Sequence, residues 1–330
     1  MEYPLWKHFV SDLLSKSPDL TYPEPTEQVV HMGAACGIGH RLVRNARIYH
    51  LARTLGYQVH VFWFPFRELF EDLPFLQASV DVHDGFRFTN EAGPIMSIMG
   101  STSEMIRIED LKSDDVLHFD LSSHSNKNAW RRFLFNVASK DYIVNFHITL
   151  LTLLREKWIR MIESFLNHLS HNYLIGLHVR TGNNEGGDFD IKNRQLDLDV
   201  VLEKFNKEIM HRSFDHEPVV LLATDNPRVV EWFDKKSSLR IVRFALDLPS
   251  NGIITGQFSR GIEQEFDKAS RVKGFFEAYA DMCLLGYCQD LYLSSWSAFT
   301  IGSVIFNRLR HDTTGSIRNY DDKDGLWKPC

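Results

Sequence analysis

Cysteine is scarce in this chain. Cys36, Cys283, Cys288 and Cys330 are the four present in 330 residues, with no Cys-x-x-Cys pair and no zinc-type spacing. That excludes a disulfide scaffold and the usual structural zinc motifs. Cys283 and Cys288 are expected in a buried helix and at the approach to the next strand, where a free thiol acts as a small hydrophobe. Positive charge is also short: 37 Lys and Arg stand against 43 Asp and Glu, a net charge of -6. No global basic field exists to gather a phosphate backbone, so a general nucleic-acid binder is excluded. No apolar run approaches the roughly eighteen residues of a membrane helix. The first residues lack the basic-then-apolar pattern of a signal peptide. An Asn-x-Ser/Thr sequon is absent as well. These absences predict a soluble protein of a reducing, cytoplasmic compartment with no membrane span.

What is present is α/β rhythm. Residues 1–27 open with a short amphipathic segment and end in the Pro-punctuated Thr21-Tyr-Pro-Glu-Pro-Thr26. A buried strand over 28–32 leads through Gly33-Ala-Ala-Cys-Gly37-Ile-Gly39 into a helix over 40–55, with Leu42, Ala46, Tyr49 and Ala52 at helical spacing. Gly56 closes that helix and 58–64 forms a second strand, which completes a βαβ unit. Residues 65–115 are mixed, 116–119 reads as a short strand, and helices are expected over 126–138 and 147–170. The rhythm then repeats: strand 173–180, helix 196–212, strand 219–223, helix 227–236, strand 239–244. A Gly-punctuated loop (Gly252, Gly256, Gly261), a helix over 262–286, a strand over 290–294 and a helix to about 309 follow. The tail, 311–330, reads as polar and irregular. The expected fold is α/β and GT-B-like: two Rossmann-like domains, 1–170 and 171–330, facing a central cleft.

Three constellations carry chemistry. Gly33 to Gly39 lets backbone amides approach a ligand at a helix N-terminus, which favours an anion, and Arg41, Arg44 and Arg47 follow at intervals of three. A tight strand-to-helix turn without a ligand would use the same glycines. An NAD(P)-dependent short-chain-type oxidoreductase is the competing enzyme reading. The second strand, however, ends Val61-Phe-Trp-Phe64 without an acidic residue for a ribose, and the one Tyr-x-x-x-Lys, Tyr3 to Lys7, precedes the glycines. The second constellation is Tyr173-Leu-Ile-Gly-Leu-His178-Val-Arg180-Thr-Gly182-Asn-Asn-Glu185. A buried strand there delivers His178 and Arg180 to one face at its carboxyl end. Arg180 offers a donor fork to phosphate and stabilises a departing pyrophosphate. Glu185 is either a base or a turn cap, and His178 either a ligand contact or a core histidine. The third is Leu291-Tyr-Leu-Ser-Ser-Trp-Ser-Ala-Phe299, a strand-to-helix turn that reads as an anion nest or as a Ser-rich helix cap. Asp188-Phe-Asp190 and Asp197-Leu-Asp199 admit a metal-dependent GT-A transferase, and a catalytically silent nucleotide-sugar binder is a further alternative.

In this order and spacing the motifs resemble the GDP-fucose-dependent fucosyltransferase superfamily: the α1,2-, α1,6- and protein O-fucosyltransferases and the nodulation-type enzymes. Gly37-Ile-Gly39-His40-Arg41 is similar to the family's Gly-x-Gly-Asn-(Arg/Gln) loop, and His178-Val-Arg180-Thr-Gly182 to its His-x-Arg-x-Gly strand end. Thr224-Asp225 matches its Thr-Asp element, and Cys288-Gln-Asp290 through Ser294, Ser295, Ser297 and Phe299 its closing pattern. The resemblance implies a GT-B inverting transferase that moves L-fucose from GDP-fucose to a glycan or other hydroxyl acceptor, without cofactor or metal. The donor would sit mainly in the C-terminal domain and the acceptor mainly against the N-terminal one. It implies Arg180 on the pyrophosphate, Asp225 near the guanine or ribose, and Ser295, Ser297 and Phe299 around the phosphates, with Gly37, Gly39, Arg41 and His178 completing the donor contacts. His40 stands where the family usually has Asn, as a general base or as a helix-start residue reaching the phosphates. After Arg180 the chain reads Thr-Gly-Asn-Asn-Glu rather than Arg-Gly-Asp, which leaves room for another nucleotide-sugar donor.

Overall fold

The computed structural model describes residues 5–27, 29–32, 38–61, 65–78, 97–99, 140–179, 197–245, 268–294, 299–311, 317–321 and 326–329. The chain divides into two compact units, one of residues 17–158 and one of residues 1–16 with 159–330. The second unit is therefore discontinuous, because the N-terminal helix α1 (Leu5–Ser15) belongs with the C-terminal half.

Within 17–158, β1 (Val29–Met32), α2 (Ile38–Thr54) and β2 (Gln58–Val61) form the expected βαβ unit. β3 (Leu76–Ala78) pairs parallel to β2, and β4 (Ser97–Met99) antiparallel to β1, giving the order β3-β2-β1-β4. α2 buries Leu42, Val43, Ala46, Tyr49 and Ala52, one stripe at the expected period. It ends at Gly56, whose φ of 72° is a left-handed helix stop. A short helix α3 (Phe66–Leu69) precedes β3, and α4 (Asp141–Leu153) packs on α2. The expected strand 116–119 and helix 126–138 lie outside the described residues.

The helix expected over 147–170 is instead two helices, α4 and α5 (Glu156–Asn167), broken at Leu154–Arg155. No Pro or Gly makes that break. Tertiary bonds do: Glu71 N–H donates to the Leu153 carbonyl at 2.7 Å and Arg155 N–H to the Leu69 carbonyl at 2.8 Å. Leu154 bridges Phe70, and Arg155 Nη1 donates to both Glu71 carboxylate oxygens at 2.9 Å. These bonds replace the helical ones that the break gives up.

The larger unit holds a six-stranded sheet. Its strands are β5 (Tyr173–Val179), β6 (Pro218–Thr224), β7 (Arg240–Val242), β8 (Asp290–Leu293), β9 (Ile317–Asp321) and β10 (Leu326–Pro329), in the order β10-β9-β8-β5-β6-β7. All pairings are parallel except β9–β10. Numbered from β5, the strands run 3-2-1-4-5-6, the doubly wound Rossmann order. The expectation of an irregular tail is thus corrected, since β9 and β10 complete the sheet. Trp327 and Tyr320 are buried there, with Trp327 edge-on to Phe205 and Tyr292 at 6.0 and 5.2 Å.

One face of the sheet is covered by α6 (Leu198–Met210) and α7 (Pro227–Lys236), which pack Val201, Leu202, Phe205, Val229 and Phe233 against Ile175, Leu177, Val179, Val220 and Leu222. The side chains at 176 and 178 alternate to the other face, which carries α8 (Lys268–Tyr287). Gly176 permits the approach there: a Cβ at that position would meet Leu285 at 3.0 Å and Leu291 at 3.2 Å. α9 (Phe299–His311) lies against α8. Cys283 and Cys288 are buried as expected, each thiol pushed up by desolvation.

Candidate functional site at the sheet switch point

In a doubly wound sheet the strand order reverses between the first strand and the fourth, and the crevice outside their carboxyl ends takes the ligand. Here those strands are β5 and β8. His178 is in register with Leu293 on β8 and Ala223 on β6. Its carbonyl accepts the Ser294 N–H at 3.0 Å, so the two strands stay joined up to the switch point. The His178 ring is 4% exposed and stacks on Phe299, the first residue of α9, with centroids 5.3 Å apart and planes 19° from parallel. His178 and Phe299, taken from two separate motifs, therefore meet at the point where the topology places a ligand. Ser294 is buried beside them. Arg180, Thr181, Gly182 and Glu185 lie outside the described residues, as do Ser295 and Ser297.

β6 ends at Thr224, with Asp225 half-buried just past it. Asn226 caps α7, its Oδ1 accepting the Arg228 N–H at 2.9 Å with Pro227 in the first turn. The Asn226 N–H in turn donates to Thr224 Oγ1 at 3.2 Å. Capping by Asn226 fixes the turn and leaves Asp225 as its acidic residue.

In the other unit Gly39 and His40 lie in the first turn of α2, and Gly37 lies outside the described residues. Arg41 is only 6% exposed, so it lies inside the fold rather than along an open basic face. Asp197 and Asp199, one of the two Asp-x-Asp pairs, serve structure. Asp197 caps α6 by accepting the Val200 N–H at 3.3 Å, and Asp199 is paired with Lys236 at 2.7 Å. Asp188 and Asp190 lie outside the described residues.

Sequence reasoning passed over Asp281. It is 8% exposed on α8, one turn after Glu277, itself 9% exposed. From Leu285, level with Gly176, to Asp281 is one helical turn of about 6 Å. From Gly176 to His178 is two strand residues, about 6.6 Å, so Asp281 reaches the level of His178. Its carboxyl accepts the Ala245 N–H just after β7. Burial, then the Glu277 carboxylate, push its pKa up to about 8. Two acidic residues four apart in the otherwise apolar later part of the helix, after Lys273, were the available signal.

No sequence-family model matches the chain, and no curated protein matches it in sequence. Solved structures do. The fucosyltransferase NodZ from Bradyrhizobium superposes with a TM-score of 0.54 at 15% identity, over 92% of this chain and 98% of that one. The NodZ α-1,6-fucosyltransferase soaked with GDP-fucose gives 0.54 at 15%, over 92% and 99%, and the form co-crystallised with GDP gives 0.52 at 16%, over 90% and 96%. The chain shares the NodZ fold. That fold is mixed α/β with a parallel-rich sheet, and the likeness spans almost the full length of both chains. Among the described residues no helix is long and apolar enough to cross a membrane.

Proposed function

We propose that this chain is a glycosyltransferase of GT-B-like architecture that transfers L-fucose from GDP-fucose, with inversion, to a hydroxyl of a glycan-type acceptor. The observation that carries the reading is the convergence of His178, Ser294 and Phe299 at the β5/β8 switch point of a Rossmann-ordered sheet. The NodZ structures soaked with GDP-fucose or co-crystallised with GDP share this fold, and they favour a nucleotide sugar over a dinucleotide as the ligand.

In this reading the unit of residues 1–16 and 159–330 is the donor side and the unit of residues 17–158 the acceptor side. Arg180, one residue beyond β5, would hold the pyrophosphate with the backbone amides around Ser295 and Ser297. Phe299 and His178 would floor the donor pocket, and Asp225 would accept from the ribose or base. Gly37, Gly39 and Arg41 would line the facing loop, with His40 or Glu185 taking the acceptor proton. Fixed donors aimed at a departing diphosphate stabilise its growing charge, so the reading calls for no metal and no cofactor.

A hydrolysis and transfer screen over GDP-fucose, GDP-mannose and UDP- and dTDP-sugars tests this, with turnover also measured in excess EDTA. GDP-fucose is expected to be consumed fastest, with undiminished rate under chelation. Turnover of a UDP- or dTDP-sugar instead, or thermal stabilisation by NADP and not by GDP, would overturn it.

A further inference from the structure

At its other end the six-stranded sheet borders a cleft of about 430 Å³, where α6 finishes and β6 and β7 begin. Ile209, Met210, Phe214, Pro218 and Leu239 give it an apolar lining. β6 runs from Pro218 to Thr224, about 20 Å, so the cleft is separate from the β5/β8 crevice. Met210 is 54% exposed, and the Ser238 hydroxyl donates to its Sδ at 3.7 Å, tying it to the turn before β7. The walls are fixed in advance. Arg212 donates from Nη1 to the Tyr292 hydroxyl at 3.1 Å and pairs through Nη2 with Asp290 at 2.8 Å. Phe214 lies 4.9 Å from the Arg212 guanidinium and 4.9 Å from the Tyr173 ring, and the Glu217 carbonyl accepts the Tyr173 N–H at 3.0 Å. Walls already ordered lose little freedom when a ligand arrives. We propose that this cleft docks an extended segment of a partner protein, with an apolar side chain on Met210, Phe214 and Leu239 and a flanking lysine or arginine facing Asp215.

The charges around the cleft select the flanking residue. Arg212 is offset by Asp290, and Arg240, at the start of β7, by Glu217 at 3.5 Å. Lys207, in the last turn of α6, is taken up by Glu203 at 2.6 Å. Asp215 lines the cleft and has no ion-pair partner among the described residues. His216 is the remaining polar side chain of the lining. α6 ends at Met210, and the partial negative charge of a helix C-terminus adds to that of Asp215. A basic flank therefore meets an open carboxylate, whereas an acidic one meets a like charge with no counter-ion. The whole chain, at -6, draws a basic partner in the same sense.

The test uses the blocked tripeptide Lys-Leu-Lys, set against Glu-Leu-Glu and Lys-Gly-Lys. The readout is the Met210 methyl resonance in protein labelled at its methionine methyls, identified as the signal missing from M210L. Lys-Leu-Lys is expected to shift this signal saturably. Glu-Leu-Glu should bind roughly five- to tenfold more weakly, and Lys-Gly-Lys several-fold more weakly. Asp215 is exposed, so its variants should fold as the parent does. D215N should bring the two charged peptides closer together, and D215K should reverse their order. No saturable shift with Lys-Leu-Lys up to about 20 mM, equal binding of Glu-Leu-Glu, or an order unmoved by D215K would overturn the proposal. A Met210 shift that tracks protein concentration without peptide would put a second copy of the chain in the cleft and overturn it as well.

Discussion

His178 ties β5 to Ser294 through its carbonyl and stacks its ring on Phe299 of α9. F299A is therefore expected to free the ring and weaken donor binding. A rise of about tenfold in donor KM, with retained circular dichroism, is anticipated, and an unchanged KM would remove Phe299 from the site. R180K keeps a charge and loses the fork. It should lower kcat/KM by roughly 10- to 100-fold, and values within a few-fold of wild type would remove Arg180 from the pyrophosphate. His147 is a different kind of histidine. It is 2% exposed within α4, bonds the Ile143 carbonyl at 2.8 Å, and burial lowers its pKa to about 4. Its folded value lies below its unfolded one, so stability is present above pH 6.5 and lost as pH falls towards 4. The loss is on the order of 3 kcal/mol. Asp281 titrates with the opposite sign over the same range, so the check is the difference between wild type and H147N in urea unfolding, which should shrink by roughly 2 kcal/mol from pH 7 to pH 5.

α8 and α9 touch closely enough that single methyl groups matter. A Cβ at Gly286 would lie 2.5 Å from Phe306 Cβ and 3.1 Å from the Ser303 carbonyl oxygen, atoms that cannot swing away. A Cβ at Gly302 would meet the flexible Met282 side chain. G286A should cost about 2–3 kcal/mol and G302A less, as measured by denaturant midpoints. Equal costs would mean that α9 shifts as a body. Elements with local signals were legible before the fold was known. α7 occupies its expected span, Pro227–Lys236, because Asn226 and Pro227 announce its start. Elements decided by distant partners were not. The Leu154–Arg155 break depends on Glu71 and Leu69, some eighty residues away in sequence, and leaves no local mark. β9 and β10 are short and polar, and among the described residues Ile317, Tyr320 and Trp327 are the buried apolar side chains that anchor them. Within the candidate site the strand end at His178 was legible from its apolar run, whereas Asp281 was hidden in a helix that reads as core.

At the scale of the molecule, the last two strands are structural. Trp327 closes the aromatic cluster of Phe205, Tyr292 and Tyr320 across three strands and α6. W327A should cost about 3–5 kcal/mol and lower the thermal midpoint by several degrees. A change under 1 kcal/mol would mean that the tail is dispensable. The other end of the chain has a longer reach. α1 buries Trp6, Phe9 and Leu13, sets Phe9 edge-on to Tyr287 and Phe306 at 5.3 and 6.2 Å, and bonds the Arg310 carbonyl through Lys16 at 3.1 Å. Every one of those partners comes much later in the chain, the Arg310 carbonyl 294 residues after Lys16. A ribosome adds residues at roughly 5–20 per second, so the apolar stripe of α1 waits tens of seconds for its seat. Residues 17–158 can be complete and folded meanwhile. α1 is thus made long before its seat and docks late, and its open stripe in the nascent chain is a surface for whatever shields apolar helices in the cell.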